Sequence, residues 1–150
     1  MARDLFIAMC VVAVAGTAPA AQSRGRQTTK PPAADTLAFA GEWVIVDRKM
    51  PGPTRLVITR AGTGWQVHGW GGCTPKDCDW GTVALFPLAP SVSERAFNRA
   101  FAIWERGFAS RYMTISLDEG GLVVEMVSIF KDGSLRSNMH STAQMKRPTK

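Results

Sequence analysis

Only two histidines and three cysteines occur among the 150 residues. After the first twenty positions no apolar run is long enough to cross a bilayer as a helix. His68 and His140 stand alone, with no third ligand in register, so no zinc site of familiar spacing is present. Neither lies near a Gly-x-Ser-x-Gly or related nucleophile motif, which leaves serine acyl transfer without support. Carboxylates are also scattered: Asp77 and Asp79 flank Cys78, Asp47 and Asp132 lie elsewhere, and the spacing matches no calcium loop. No metal or cofactor is expected. Hydrophobic residues make up 45% of the chain and charged ones 20%, too apolar a mixture for a disordered protein. This length accommodates one domain and leaves no room for a second lobe or a dinucleotide fold.

The N-terminus has the pattern of a secretory leader. Met1 to Arg3 forms a short basic start, Leu5 to Val14 an apolar run, and Ala18-Pro19-Ala20 supplies small residues at the spacing a signal peptidase reads. Residues 1–21 are therefore expected to be a signal peptide and the protein to be secreted or periplasmic, with no membrane span once the leader is removed. Cleavage takes Cys10 away and leaves Cys73 and Cys78. An even pair of thiols in an oxidising compartment reads as a disulfide. The loop it closes is short, so chain entropy contributes at most about 2 kcal/mol; its main effect is to hold one loop in one shape. Residues 22–36 are rich in Thr, Pro, Ala and Gln without apolar periodicity and read as a flexible spacer.

The formal charge of +6 belongs mostly to the ends of the chain. The spacer carries +2 and the tail, through Lys146, Arg147 and Lys150, carries +3. Between Leu37 and Met145 there are 11 basic and 10 acidic residues, so the domain is nearly neutral. A basic groove interleaved with stacking aromatics is not visible, and nucleic acid is not an expected partner.

From residue 37 to 147 the texture changes to short apolar or alternating runs separated by turn residues. Strands are expected over Gly41–Asp47, Arg55–Arg60, Trp65–Trp70, Trp80–Leu88, Arg99–Arg106, Arg111–Leu117, Leu122–Phe130 and Arg136–Met145. Within the fourth, Pro87 marks an edge or a bulge, and Ser91–Asn98 is the only segment suited to a helical turn. Gly120-Gly121 and Asp132-Gly133 supply turn signals. Eight strands joined mostly by tight hairpins give an all-β fold, an eight-stranded antiparallel up-and-down barrel; strand count and spacing also fit a β-sandwich.

Three groups of residues are candidates for chemistry. Trp70 and Trp80 bracket the disulfide-closed, glycine-rich turn that also carries Asp77 and Asp79. Tryptophan rings held on a rigid loop suit stacking on sugars or apolar ligands, and equally suit plugging a barrel end. Glu125 interrupts the apolar run from Leu122 to Val127; facing inward it needs a partner such as His68, His140, Arg99 or Arg111, and facing outward it is a solvated strand residue. His140 with Glu125 is the pair available to a hydrolase.

Gly41-Glu42-Trp43 resembles the Gly-x-Trp that opens lipocalins and avidins. In those families the Trp closes one barrel end beneath a basic residue of a late strand, a place that the resemblance assigns here to Lys146 or Arg147. The segment Trp70-Gly71-Gly72-Cys73-Thr74-Pro75-Lys76-Asp77-Cys78-Asp79-Trp80-Gly81, with Phe130-Lys131-Asp132-Gly133-Ser134, resembles an uncharacterised family of small exported bacterial β-barrel proteins. That resemblance covers Gly41 to Arg147 and implies location rather than activity. Together these features predict a monomeric exported binding protein for a small apolar or glycan-like ligand, with Trp70, Asp77, Asp79, Trp80, Glu125 and His140 as candidate contacts and no catalysis. The alternatives are an inhibitor that inserts the Cys73–Cys78 loop into an exported hydrolase, a protease or lysozyme, and a hydrolase using Glu125 and His140.

Overall fold

A computed structural model describes residues 38–94, 96–119 and 121–149; the expected leader and spacer lie outside them. Eight strands follow one another in chain order: β1 (Gly41–Ile45), β2 (Pro53–Ala61), β3 (Gly64–Gly71), β4 (Cys78–Leu88), β5 (Arg99–Glu105), β6 (Ala109–Asp118), β7 (Gly121–Phe130) and β8 (Met139–Lys146). Every neighbouring pair is antiparallel, and β8 returns to β1, which closes an up-and-down barrel and excludes the sandwich. Closure removes both sheet edges. Among the described residues there is no helix; Ser91, Val92 and Ser93 form a bend and turn instead. Pro87 does not end β4, which continues to Leu88 paired with Arg99.

Period-two alternation decides which side chains fill the barrel. On β1, Trp43 and Ile45 point inward while Glu42 and Val44 point out; on β3, Trp65 and Val67 are inside and Gln66 and His68 outside. The same parity sends Ala100, Ala102 and Trp104 of β5, and Met113 and Ile115 of β6, into the core. These residues pack one half of the barrel solid, as expected when eight strands enclose a space just wide enough for side chains.

That packed half is closed by Trp43 with Arg147 over its ring. The Trp43 indole N–H donates to the Phe39 carbonyl at 2.8 Å, and the Arg147 guanidinium lies 3.8 Å from the Trp43 ring centroid. Arg147, rather than Lys146, takes the basic position, because Val44 pairs with Lys146 and the next residue therefore reaches back over Trp43. Gly41 has φ +111°, and a Cβ there would sit 2.5 Å from Arg147 Nη1, so glycine at the first position of the Gly-x-Trp triplet suits both the backbone and the approach of the cation. The closing seam is short: Val44↔Lys146 and Ile45↔Met145 are its ladder pairs, extended by a Val46 N–H to Gln144 carbonyl bond of 2.9 Å.

Candidate functional site

The loops β1–β2, β3–β4, β5–β6 and β7–β8 gather at the other end of the barrel, and there the interior is not filled. A cavity of about 770 Å³ opens between them. Its floor is Trp80, and the explanation lies in a bulge. Gly69 pairs with Gly81 and Trp70 with Asp79, so β4 has one residue more than β3 over this step, and that extra residue is Trp80. The bulge turns the indole inward, and Gly81 sustains it with φ +75°, a conformation that glycine adopts without cost. The ring then lies across β3: a Cβ on Gly71 would be 2.2 Å from it and one on Gly69 3.1 Å away. Trp104 meets it edge-on, with centroids 5.9 Å apart at 71°, and its indole N–H donates to the Gly81 carbonyl at 3.0 Å. Below the two indoles the core is packed; above them it is open.

The walls combine apolar and cationic groups. Met126 of β7 and Met139 of β8 face inward beside Phe108 and Phe130, while Arg48, Arg106, Arg111 and Arg136 line the same space. Arg111 pairs with Trp104 on one side and Ser128 on the other, and so shares their inward parity. Its guanidinium lies 4.7 Å from the Trp80 centroid and 5.2 Å from that of Phe108. Arg136 lies 4.2 Å from the Phe130 centroid. Burial, joined by repulsion from Arg106 and Arg136, pushes the Arg111 pKa down from its ordinary value. The Cys73–Cys78 disulfide is formed and both cysteines sit on the rim; it is compatible with an oxidising, exported environment.

The residues singled out in the sequence divide between this mouth and the outer wall. Trp80 forms the floor and Asp79 lines the rim. Asp77 is next to the rim, ion-paired with Arg48 at 2.5 Å. Trp70 is outside, because its neighbours Gly69 and Gly71 take the inward parity of β3. There His68 stacks on it at 3.9 Å and the Arg55 guanidinium lies 4.5 Å from its centroid. His68 in turn exchanges hydrogen bonds with Asp79 through Nε2 at 2.6 Å and with Thr82 through Nδ1 at 2.9 Å. Glu125 and His140 are exposed on the outer wall, opposite Thr142 and Val127 respectively. Glu125 therefore takes the solvated of its two alternatives, and Arg111, one of its suggested inward partners, points the other way. The two tryptophans that bracket the loop do not act together, and Glu125 and His140 do not reach the cavity.

The four arginines of the mouth were not legible as a group in the sequence. The one usable signal was parity: Arg111 has the same side as Met113 and Ile115. Arg48 and Arg136 lie in loops, where no periodicity applies.

Three carboxylates around the rim carry a pH dependence of stability. The Gly81 amide, with help from His68 and the charge of Arg106, holds Asp79 below its ordinary range; the Thr54 hydroxyl and Arg48 do the same for Asp77, and Ser134 and Arg136 for Asp132. A depressed folded-state pKa stabilises the fold above the unfolded value and loses that stabilisation as pH falls through the folded one. The thermal midpoint is thus expected to change little through these groups from neutral pH down to about 4, the unfolded Asp range, and to fall below it. In Asp79→Asn the acid-side fall should be shallower; an unchanged profile would mean that these contacts do not persist in solution.

Comparison with known protein families, curated proteins and solved structures finds no match to this chain.

Proposed function

We propose that this protein is an exported binding module that holds a small, mainly apolar ligand in the open mouth of its barrel. The observation that carries the reading is the cavity of about 770 Å³ floored by Trp80, a volume within the range of small-molecule sites. Aromatic and methionine side chains in its lining give an apolar body its contacts, beside the four arginines of the wall. Elsewhere in the barrel the interior is packed, so the space is local and belongs to the bulge at Trp80. An apolar body is favoured over a glycan stacked on Trp70, since that ring already has His68 and Arg55 against it.

Trp80 in the floor makes the test direct. Titrating the full chain with a medium-chain alcohol is expected to shift tryptophan emission saturably, whereas an oligosaccharide panel leaves it flat. Gly71→Ala is expected to push the Trp80 ring into the cavity, since the new Cβ would otherwise lie 2.2 Å from it. Binding should weaken, because the displaced ring takes up part of the cavity, with the circular dichroism of the barrel retained. A flat titration with apolar probes, or saturable binding by the saccharides alone, overturns the reading.

A further inference from the structure

We infer that the mouth selects ligands with a single anionic oxygen head group on an apolar body, and that Arg111 receives that head group. The inference rests on the reading of the mouth as a ligand site and adds the chemical class of the ligand.

The charges around the cavity support it when paired off one by one. Arg48 has the carboxylate of Asp77 and Arg136 that of Asp132. Arg106 donates to the Trp80 carbonyl and its charge acts on Asp79. Arg111 has no ion pair among the described residues; its close neighbours are the faces of Trp80 and Phe108. Its Nη1 is sealed from solvent and meets no acceptor. A cation withdrawn from water without a carboxylate is costly, and removing that cost is what a bound anion would do. The aromatic faces hold the guanidinium at the cavity wall, and its remaining N–H groups are the donors that a carboxylate would meet. Ser128, opposite Arg111 in the ladder and lining the same cavity, adds a neutral hydroxyl beside that position.

Of the four guanidiniums that line the mouth, Arg48 and Arg136 are ion-paired, and Asp79, on which Arg106 acts, is hydrogen-bonded to His68 on the outer wall, so Arg111 leaves the mouth cationic. Met126 and Met139, on the inner wall to either side, provide the apolar flank along which the rest of such a ligand would lie.

Calorimetry of the full chain with decanoate, decanol, decyl sulfate and decyl phosphate, all below micelle formation, tests this. Decanoate, decyl sulfate and decyl phosphate are each expected to bind about 10- to 100-fold tighter than decanol, the ratio that a charge-assisted hydrogen bond supplies. Any of the three anions binding in this way supports the class, and the strongest identifies the head group. Arg111→Gln should remove the preference, so that decanoate binds the variant no tighter than decanol does; Arg111→Met is the second variant should glutamine disturb the fold. An affinity for every anion no greater than that for decanol, or an equal loss of decanoate and decanol binding in the variants, overturns the inference while the apolar mouth stands. Absence of binding by all four probes overturns both.

Discussion

Trp104→Ala is expected to lower the unfolding free energy by about 3–5 kcal/mol, the usual loss when a buried aromatic is truncated. Trp104 is fully buried and is the largest side chain so placed. Its ring supports Trp80 from below, and its N–H is what anchors the Gly81 carbonyl at the bulge. Truncation therefore opens a void under the floor of the cavity and releases the bulge in the same step. Domains are typically stable by about 5–15 kcal/mol, so the loss is a large fraction of the whole. Trp104→Phe keeps most of the packing and gives up the hydrogen bond, for a loss nearer 1 kcal/mol. Chemical denaturation of both variants provides the comparison. If alanine and phenylalanine cost the same, the indole is not packed as described.

Gly121→Ala is expected to cost at least about 2 kcal/mol and to act on the seam of the barrel. Gly121 has φ +146°, and a Cβ there would lie 2.2 Å from the Met145 carbonyl oxygen and 3.6 Å from the Trp43 ring. The obstructing atom is backbone, so β8 itself has to move, and β8 is the strand whose pairing with β1 is the shortest in the barrel. Gly62→Ala makes the contrast: φ is again positive, at +57°, but nothing lies within 4 Å. Its cost should be confined to the backbone conformation, about 1–2 kcal/mol. Hydrogen exchange adds the location, since the amides of β1 and β8 should lose protection in Gly121→Ala and keep it in Gly62→Ala. Similar losses and similar exchange in the two variants would show that the seam is not where the structure is vulnerable.

Much of the architecture is legible without coordinates because it depends on local periodicity. Alternation in GEWVI or in WQVHGW fixes a strand and its two faces, and glycine-rich turns place the hairpins. Boundaries shift by a few residues where the pattern is silent: Arg136 reads as strand but stands in the loop before Met139, because Arg136 hydrogen-bonds back to Ser134 and Asp132 and the ladder begins only opposite Ser128. Parity fails for Glu125 for another reason. Both faces of β7 are apolar, with Val123 and Val127 outside and Leu122 and Val124 inside, so the sequence offers no contrast to decide between them. The register with Thr114 and Thr142 decides it.

The same division applies to the cysteines and tryptophans of the loop from Trp70 to Gly81. Two thiols six positions apart by inclusive count are within reach of one another in any hairpin, and the disulfide was accordingly readable. The fates of the two indoles were not, because a bulge inserts one residue and reverses parity on one strand only. Trp80 is inside and Trp70 outside as a result.

Taken alone, the chain determines an all-β fold of eight successive strands with a paired loop, since strands, turns and a nearby thiol pair are short-range properties, while closure of β8 on β1 decides for the barrel over the sandwich. It also shows that the charge between residues 37 and 145 nearly cancels. Only the tertiary structure decides that this neutrality is uneven: closure of the barrel brings Arg48, Arg106, Arg111 and Arg136, scattered over almost ninety positions, to one mouth and leaves Arg111 without a carboxylate among the described residues. Net charge is a sum over the sequence, but an electrostatic site depends on distances, and distances between remote residues are set by strand register and closure.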